Sequence, residues 1–100
     1  MSQQVRTFEK DSAALRYLLH LPPGYKDVGA RQFPLILFLH GMGERGSDID
    51  LVKLHGIAKV AEEQPDFPFV AVSPQCPPGA TWTFMLDPLY ALLNHVRAAY

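Results

Sequence analysis

Seven consecutive residues, His40-Gly41-Met42-Gly43-Glu44-Arg45-Gly46, hold most of the chemistry that this 100-residue chain displays. They follow directly on the apolar run Leu35-Ile36-Leu37-Phe38-Leu39. A buried strand that opens into a glycine-rich loop before a helix is where α/β proteins aim backbone N–H groups at an anion. Such a loop serves acyl transfer, as half of an oxyanion hole, or phosphate binding, as a dinucleotide cradle.

Gly41, Gly43 and Gly46 satisfy G-x-G-x-x-G literally. The dinucleotide fingerprint also wants the loop after the first strand, and an acidic residue about 20 positions on, at the end of the second. Here two predicted strands precede the loop, and Asp66 comes before its strand rather than after it. The third glycine belongs inside the helix, yet the helix-start signal begins after Gly46. The oxyanion reading fits better. Acyl transfer builds charge on a carbonyl oxygen, and each preorganised N–H donor that meets it is worth roughly 3–4 kcal/mol.

The elements that must position the loop are read as follows. Residues 5–10 and 15–21 predict two strands joined by an Asp11-Ser12 turn, a leading hairpin. Leu21-Pro22-Pro23-Gly24-Tyr25 ends the second, because proline withholds a ladder donor. Residues 33–39 are apolar almost without interruption, as in a central strand covered on both faces. Ser47-Asp48-Ile49-Asp50 reads as a helix start, with Ser47 as cap and the aspartates near the positive end of the dipole. Leu51, Leu54, Ile57, Ala58 and Ala61 recur at helical spacing, with a bend or restart expected at Gly56. Residues 67–72 predict a further strand, stopped by Pro74. Asp87-Pro88 predicts the cap and first position of a helix whose apolar stripe is Leu89, Leu92, Leu93, Val96 and Tyr100. A hairpin followed by strand, helix, strand and helix predicts an α/β sheet, mixed at its front edge.

Composition narrows the classes. A chain of 100 residues, 48% hydrophobic and 19% charged, predicts one small packed domain. Its nine Lys and Arg against ten Asp and Glu give a net charge of −1, with no basic run for nucleic acid or an anionic membrane. Cys76 stands alone, which rules out an intrachain disulfide. The polar start Met1-Ser2-Gln3-Gln4-Val5-Arg6 has no signal-peptide core, and no apolar stretch nears the roughly 18 residues of a membrane span. A cytoplasmic location follows as the expectation.

Leu21-Pro22-Pro23-Gly24-Tyr25, then Pro34-Leu35-Ile36-Leu37-Phe38-Leu39-His40-Gly41-Met42-Gly43-Glu44-Arg45-Gly46, then Ser73-Pro74-Gln75-Cys76-Pro77 and Trp82 resemble the front of an α/β-hydrolase esterase. The pattern is similar to that of phospholipase/carboxylesterase and dienelactone-hydrolase-like enzymes. The resemblance runs from about Leu15 onward. In that architecture one oxyanion donor follows the nucleophile and the other comes from the loop after the third strand, often opening His-Gly. The resemblance therefore implies a serine hydrolase of carboxylic esters that needs no cofactor. Met42 would supply the oxyanion N–H from its backbone, in a loop that Gly41 shares and His40 supports.

Such enzymes use a G-x-S-x-G elbow, then an acid, then a histidine. Ser2, Ser12, Ser47 and Ser73 all lack the flanking glycines. The chain is thus expected to be a single partial domain over residues 1–100, without nucleophile or triad, inactive alone and prone to self-associate through an uncovered strand edge. A small-molecule ester is the substrate expected of the complete enzyme. The alternatives are a nucleotide-binding domain using the glycines at 41–46, or a non-catalytic remnant that binds a partner. Among single residues, Glu44 and Arg45, with Gly43 and Gly46, are expected to hold the loop's shape. Trp82 is read as lining an acyl or alcohol pocket or as packing in the core. Cys76, with no basic neighbour in sequence, reads as a packed thiol. His20, His55 and His95 lack metal-ligand spacing, and no metal is expected.

Overall fold

The computed structural model describes residues 3–10, 13–23, 33–77 and 79–99. Strands β1 (Gln4–Lys10) and β2 (Ala13–His20) form the leading hairpin, antiparallel, with Gln4 opposite Leu19 and Lys10 opposite Ala13. The expected Asp11-Ser12 turn lies outside the described residues. Strands β3 (Leu35–Leu37) and β4 (Val70–Pro74) complete a four-stranded sheet in the order β1-β2-β4-β3. β4 runs antiparallel to β2 and parallel to β3, so the sheet is mixed at its hairpin side, as the pattern predicts.

The central strand is β4, not the 33–39 run. All five residues of β4 are buried, whereas Leu35, Ile36 and Leu37 are half-buried. Among the described residues β3 pairs on one side only. Its ladder is also short: Pro34 has no N–H to donate, and after the Phe38 N–H reaches the Val72 carbonyl at 2.9 Å the chain turns into the glycine loop. β4 begins three residues later than the apolar run suggests. The Phe67 N–H turns back to Gln64 at 2.9 Å, its carbonyl accepts from the His20 imidazole Nε2 at 2.9 Å, and its ring lies 5.1 Å from that of Phe69.

Period-two alternation sorts the side chains between two layers. Leu15, Tyr17, Leu19, Val70 and Val72 face helix α2 (Leu86–Ala99) and meet Leu89, Leu92 and Val96 there. Leu18 faces the other way, toward Ile49, Val52 and Ala58. Burial of each such aliphatic side chain contributes on the order of 1.5–3 kcal/mol.

The segment between β3 and β4 is interrupted as Gly56 foretells. A 3-10 helix (Ile49–Leu54) ends at extended His55, and helix α1 (Gly56–Glu63) starts afresh. Gly56 sits at φ +66°, and a Cβ there would lie 2.5 Å from the Phe38 ring. The cap of the 3-10 helix is Asp48, whose carboxylate accepts from the Asp50 N–H at 3.1 Å, rather than Ser47. The last helix also starts earlier than Asp87-Pro88 implies. A 3-10 turn (Trp82–Met85) leads into it, so Asp87 stands inside the first turn, and Pro88 is tolerated because the amides there lack helical partners. Among the described residues, no helix is long and apolar enough to cross a membrane.

Candidate functional site

Because β3 and β4 run in parallel, the segments leaving their carboxyl ends share one edge of the sheet, the edge where open α/β sheets bind ligands. Residues 40–46 leave β3, and residues 75–82 leave β4. A set of hydrogen bonds ties these two segments together.

His40 is the centre of the tie. It is 4% exposed. Its Nε2 accepts the Cys76 backbone N–H at 2.8 Å, so that nitrogen carries no proton. The proton is therefore on Nδ1, facing the Gly41 carbonyl. The His40 carbonyl in turn accepts the Trp82 indole N–H at 2.9 Å, and the two rings lie 4.9 Å apart. With Nε2 occupied by an amide hydrogen, His40 holds the loop and is not available there as a base. Trp82 is half-buried against the core on the α2 side, and its one polar group is engaged.

Gly41, Met42, Gly43 and Glu44 form a tight turn. Met42–Glu44 is 3-10, closed by the Glu44 N–H on the Gly41 carbonyl at 3.3 Å. The buried Glu44 carboxylate folds back and accepts the Gly41 N–H, also at 3.3 Å. Among the described residues, the amides of Met42 and Gly43 have no acceptor. Among those residues the loop thus leaves a pair of adjacent N–H groups at its crest without an acceptor and satisfies the ones beside them. Unpaired donors at such an edge suit a transient anion.

Glu44 and Arg45 each support the loop through a different partner. The Arg45 guanidinium donates to the Ala80 carbonyl at 2.8 Å. Gly46 sits at φ +138°, a conformation open to glycine, and its N–H reaches the Cys76 carbonyl at 3.0 Å. Gly43 has no such need: its φ is ordinary and a Cβ there would meet open space. The loop is followed by the 3-10 helix Ile49–Leu54 and not by an α-helix starting at its third glycine, and Asp66 lies in the turn before β4, at the far edge of the sheet. Neither feature suits a dinucleotide.

Cys76 is 1% exposed. Burial pushes its thiol pKa up, and the Arg45 guanidinium opposes this in part. The fold therefore supplies the basic neighbour that the sequence hides, and burial still keeps the thiol protonated and inert. Outside the site, the His20 ring lies 5.8 Å from that of Phe67, and the His95 ring packs tilted against Phe8 at 5.0 Å. Among the described residues, no three His, Cys, Asp or Glu side chains gather as a metal site would require.

No family model matches the chain, and no curated protein matches it. Among solved structures, the crystal structure of a thermostable esterase is similar over 97% of this chain, with a TM-score of 0.62 and 29% sequence identity. The fold is hydrolase-like. The chain spans 29% of that esterase chain.

Within this hydrolase-like frame, one buried residue escaped sequence reasoning in spite of its place in Ser73-Pro74-Gln75-Cys76-Pro77. Gln75 is 4% exposed. Its Nε2 donates to the Glu44 carbonyl at 3.0 Å and the Asp48 carbonyl at 2.7 Å. A glutamine between proline and cysteine carries no periodic signal. Only its position just past the end of a fully buried strand marks it as unable to face water.

Proposed function

We propose that this chain is the oxyanion-loop-bearing N-terminal part of a serine carboxylic-ester hydrolase, with the Met42 backbone N–H as one oxyanion donor. The observation that supports this most is the pair of amides at Met42 and Gly43 that have no acceptor among the described residues, on the carboxyl edge of a sheet similar to an esterase's. Gly41 shapes the loop and His40 supports it from beneath. The half-exposed part of Trp82 borders the same crest and would contact the ester. In the complete enzyme a serine would attack the ester carbonyl, and the tetrahedral oxygen would accept from Met42 and from the residue after the nucleophile. The acyl-enzyme is then released by water, with no cofactor. None of its serines stands in a G-x-S-x-G elbow, so the chain alone would not turn over esters. Its β3 edge, unpaired among the described residues, would pair with another strand, a second copy included.

A chimera tests the reading. This chain replaces the matching 29% of the thermostable esterase, and hydrolysis of p-nitrophenyl acetate is followed. Met42 is the first residue of the 3-10 turn, where proline fits and removes only the N–H. In the chimera Met42→Pro should lower kcat about 10²–10³-fold with KM little changed. An unchanged kcat would remove Met42 from the mechanism. Micromolar binding of NAD or ATP by the chain, lost on Gly43→Val, would favour the nucleotide alternative instead.

A further inference from the structure

We infer that Gln75 is the positioning residue of the anion-facing loop: its side-chain amide sets where the Met42 and Gly43 N–H groups point. The inference rests on the oxyanion reading for its functional meaning, but its geometry stands apart from it.

Residues 44–48 form an arch between the tight turn and the 3-10 helix that follows. Both feet of that arch sit on one nitrogen, since the Gln75 Nε2 donates to the Glu44 carbonyl at 3.0 Å and to the Asp48 carbonyl at 2.7 Å. A primary amide has two hydrogens, so both are committed and the group cannot rotate without breaking a bond. The backbone of Gln75 is itself fixed, because its N–H donates to the Arg16 carbonyl of β2 at 2.9 Å. Arg16 returns the favour by donating from its guanidinium to the Ser47 carbonyl at 2.9 Å, inside the same arch. The sheet thereby dictates the position of Glu44 through a chain of rigid links. Glu44 is the last residue of the turn that presents Met42 and Gly43, and its carboxylate holds the Gly41 N–H. Moving Glu44 therefore moves all the crest amides together.

A glutamine is suited to this place for a chemical reason. A glutamate would set a carboxylate against two carbonyl oxygens, and an asparagine is one methylene too short for both feet. A methionine fills the space and offers no donor. His40 grips the loop's entry and Gln75 its exit, which leaves only the crest free to respond to a ligand.

The experiment uses the full chain, 15N-labelled, as wild type and as Gln75→Met. Amide hydrogen exchange is read at Gly41, Glu44 and Gly46, the loop amides that have acceptors, and, as a control, at Leu18 and Val72 in the core strands. The inference predicts about tenfold or greater acceleration at the loop, the scale of one or two lost hydrogen bonds, with strand protection nearly unchanged. Titration with methylphosphonate, an oxyanion mimic, should perturb Met42 and Gly43 in the wild type and show at least tenfold weaker affinity in Gln75→Met. Equal acceleration in loop and strands, or unmoved loop resonances, would overturn the positioning role. Should the variant not fold, the wild type still decides: the Gln75 side-chain NH2 protons must be strongly protected, and rapid exchange there refutes the inference. A wild type that ignores methylphosphonate while the exchange pattern holds would remove the oxyanion reading and leave the role of Gln75 intact.

Discussion

Replacing His40 with phenylalanine is the sharpest probe of how the loop is held. The aromatic ring and its packing on Trp82, 4.9 Å away, are preserved, so little cavity results. Both nitrogens are lost. The consequence at Nδ1 is small, because Gly41 is exposed and water can reach its carbonyl. The consequence at Nε2 is larger. The Cys76 N–H belongs to a residue 1% exposed and would be left without an acceptor. An unsatisfied buried amide costs about 1–3 kcal/mol, a sizeable share of the roughly 5–15 kcal/mol that holds a domain together. Urea unfolding followed by circular dichroism should show the midpoint lowered, with the slope m unchanged. His40→Ala should lose more, since it adds an empty ring-sized space at a buried site. An independent check is the imidazole 15N spectrum of the wild type, which should show a protonated Nδ1 and a bare Nε2. A His40→Phe chain within about 0.5 kcal/mol of wild type would show that the nitrogen does not serve Cys76, and the tie between the segments would lose its centre.

Other consequences can be measured on the same protein. Gly56→Ala forces a side chain onto φ +66° and places a Cβ 2.5 Å from the Phe38 ring; the backbone part costs about 1–2 kcal/mol and the crowding about 1–3 kcal/mol. Adding Phe38→Leu should return the second part in a double-mutant cycle and leave the first, and full rescue would contradict the backbone share. The raised Cys76 pKa means that the folded state binds the thiol proton more tightly than the unfolded chain. Its contribution to stability is present at neutral pH and is lost as pH rises through the alkaline thiol range, a decline that Cys76→Ser should abolish; iodoacetamide should label Cys76 at the rate of unfolding, and fast labelling of folded protein would contradict its burial. Sedimentation velocity should detect concentration-dependent association through β3, reduced by Leu39→Lys, since Leu39 is 41% exposed beside the open edge. A monomer that stays monodisperse as concentration rises would refute that.

Much of the frame was legible in the chain. The hairpin, the strand before the glycine loop, the restart at Gly56 and the stripe Leu89, Leu92 and Val96 follow from local periodicity and turn chemistry, and the structure has them. What periodicity could not give was the order of strands. An apolar run such as residues 33–39 looks equally at home at the centre or at an edge, and pairing with β4 alone decides it. Cap positions also moved by one or two residues, because Asp48 competes with Ser47 and a 3-10 lead-in displaces Asp87 from the helix start. At the site, the glycines and His40 announce a loop. The groups that fix it, Gln75, the Cys76 amide and the Ala80 carbonyl, lie about thirty or more positions away and enter only through the parallel pairing of β3 with β4. Arg45 beside Cys76 is the same lesson in reverse, since tertiary contact supplies a charge that sequence proximity hides.

The most direct test is a titration of the labelled chain with methylphosphonate, read at four backbone amides of the loop. Met42 and Gly43 should shift together and saturate, while Gly41, held by Glu44, and Gly46, held by the Cys76 carbonyl, move little. Resonances of Met42 and Gly43 that stay in place as the anion is added, or a shift no larger than at Gly41 and Gly46, would contradict the claim that this loop is built to meet a developing oxyanion.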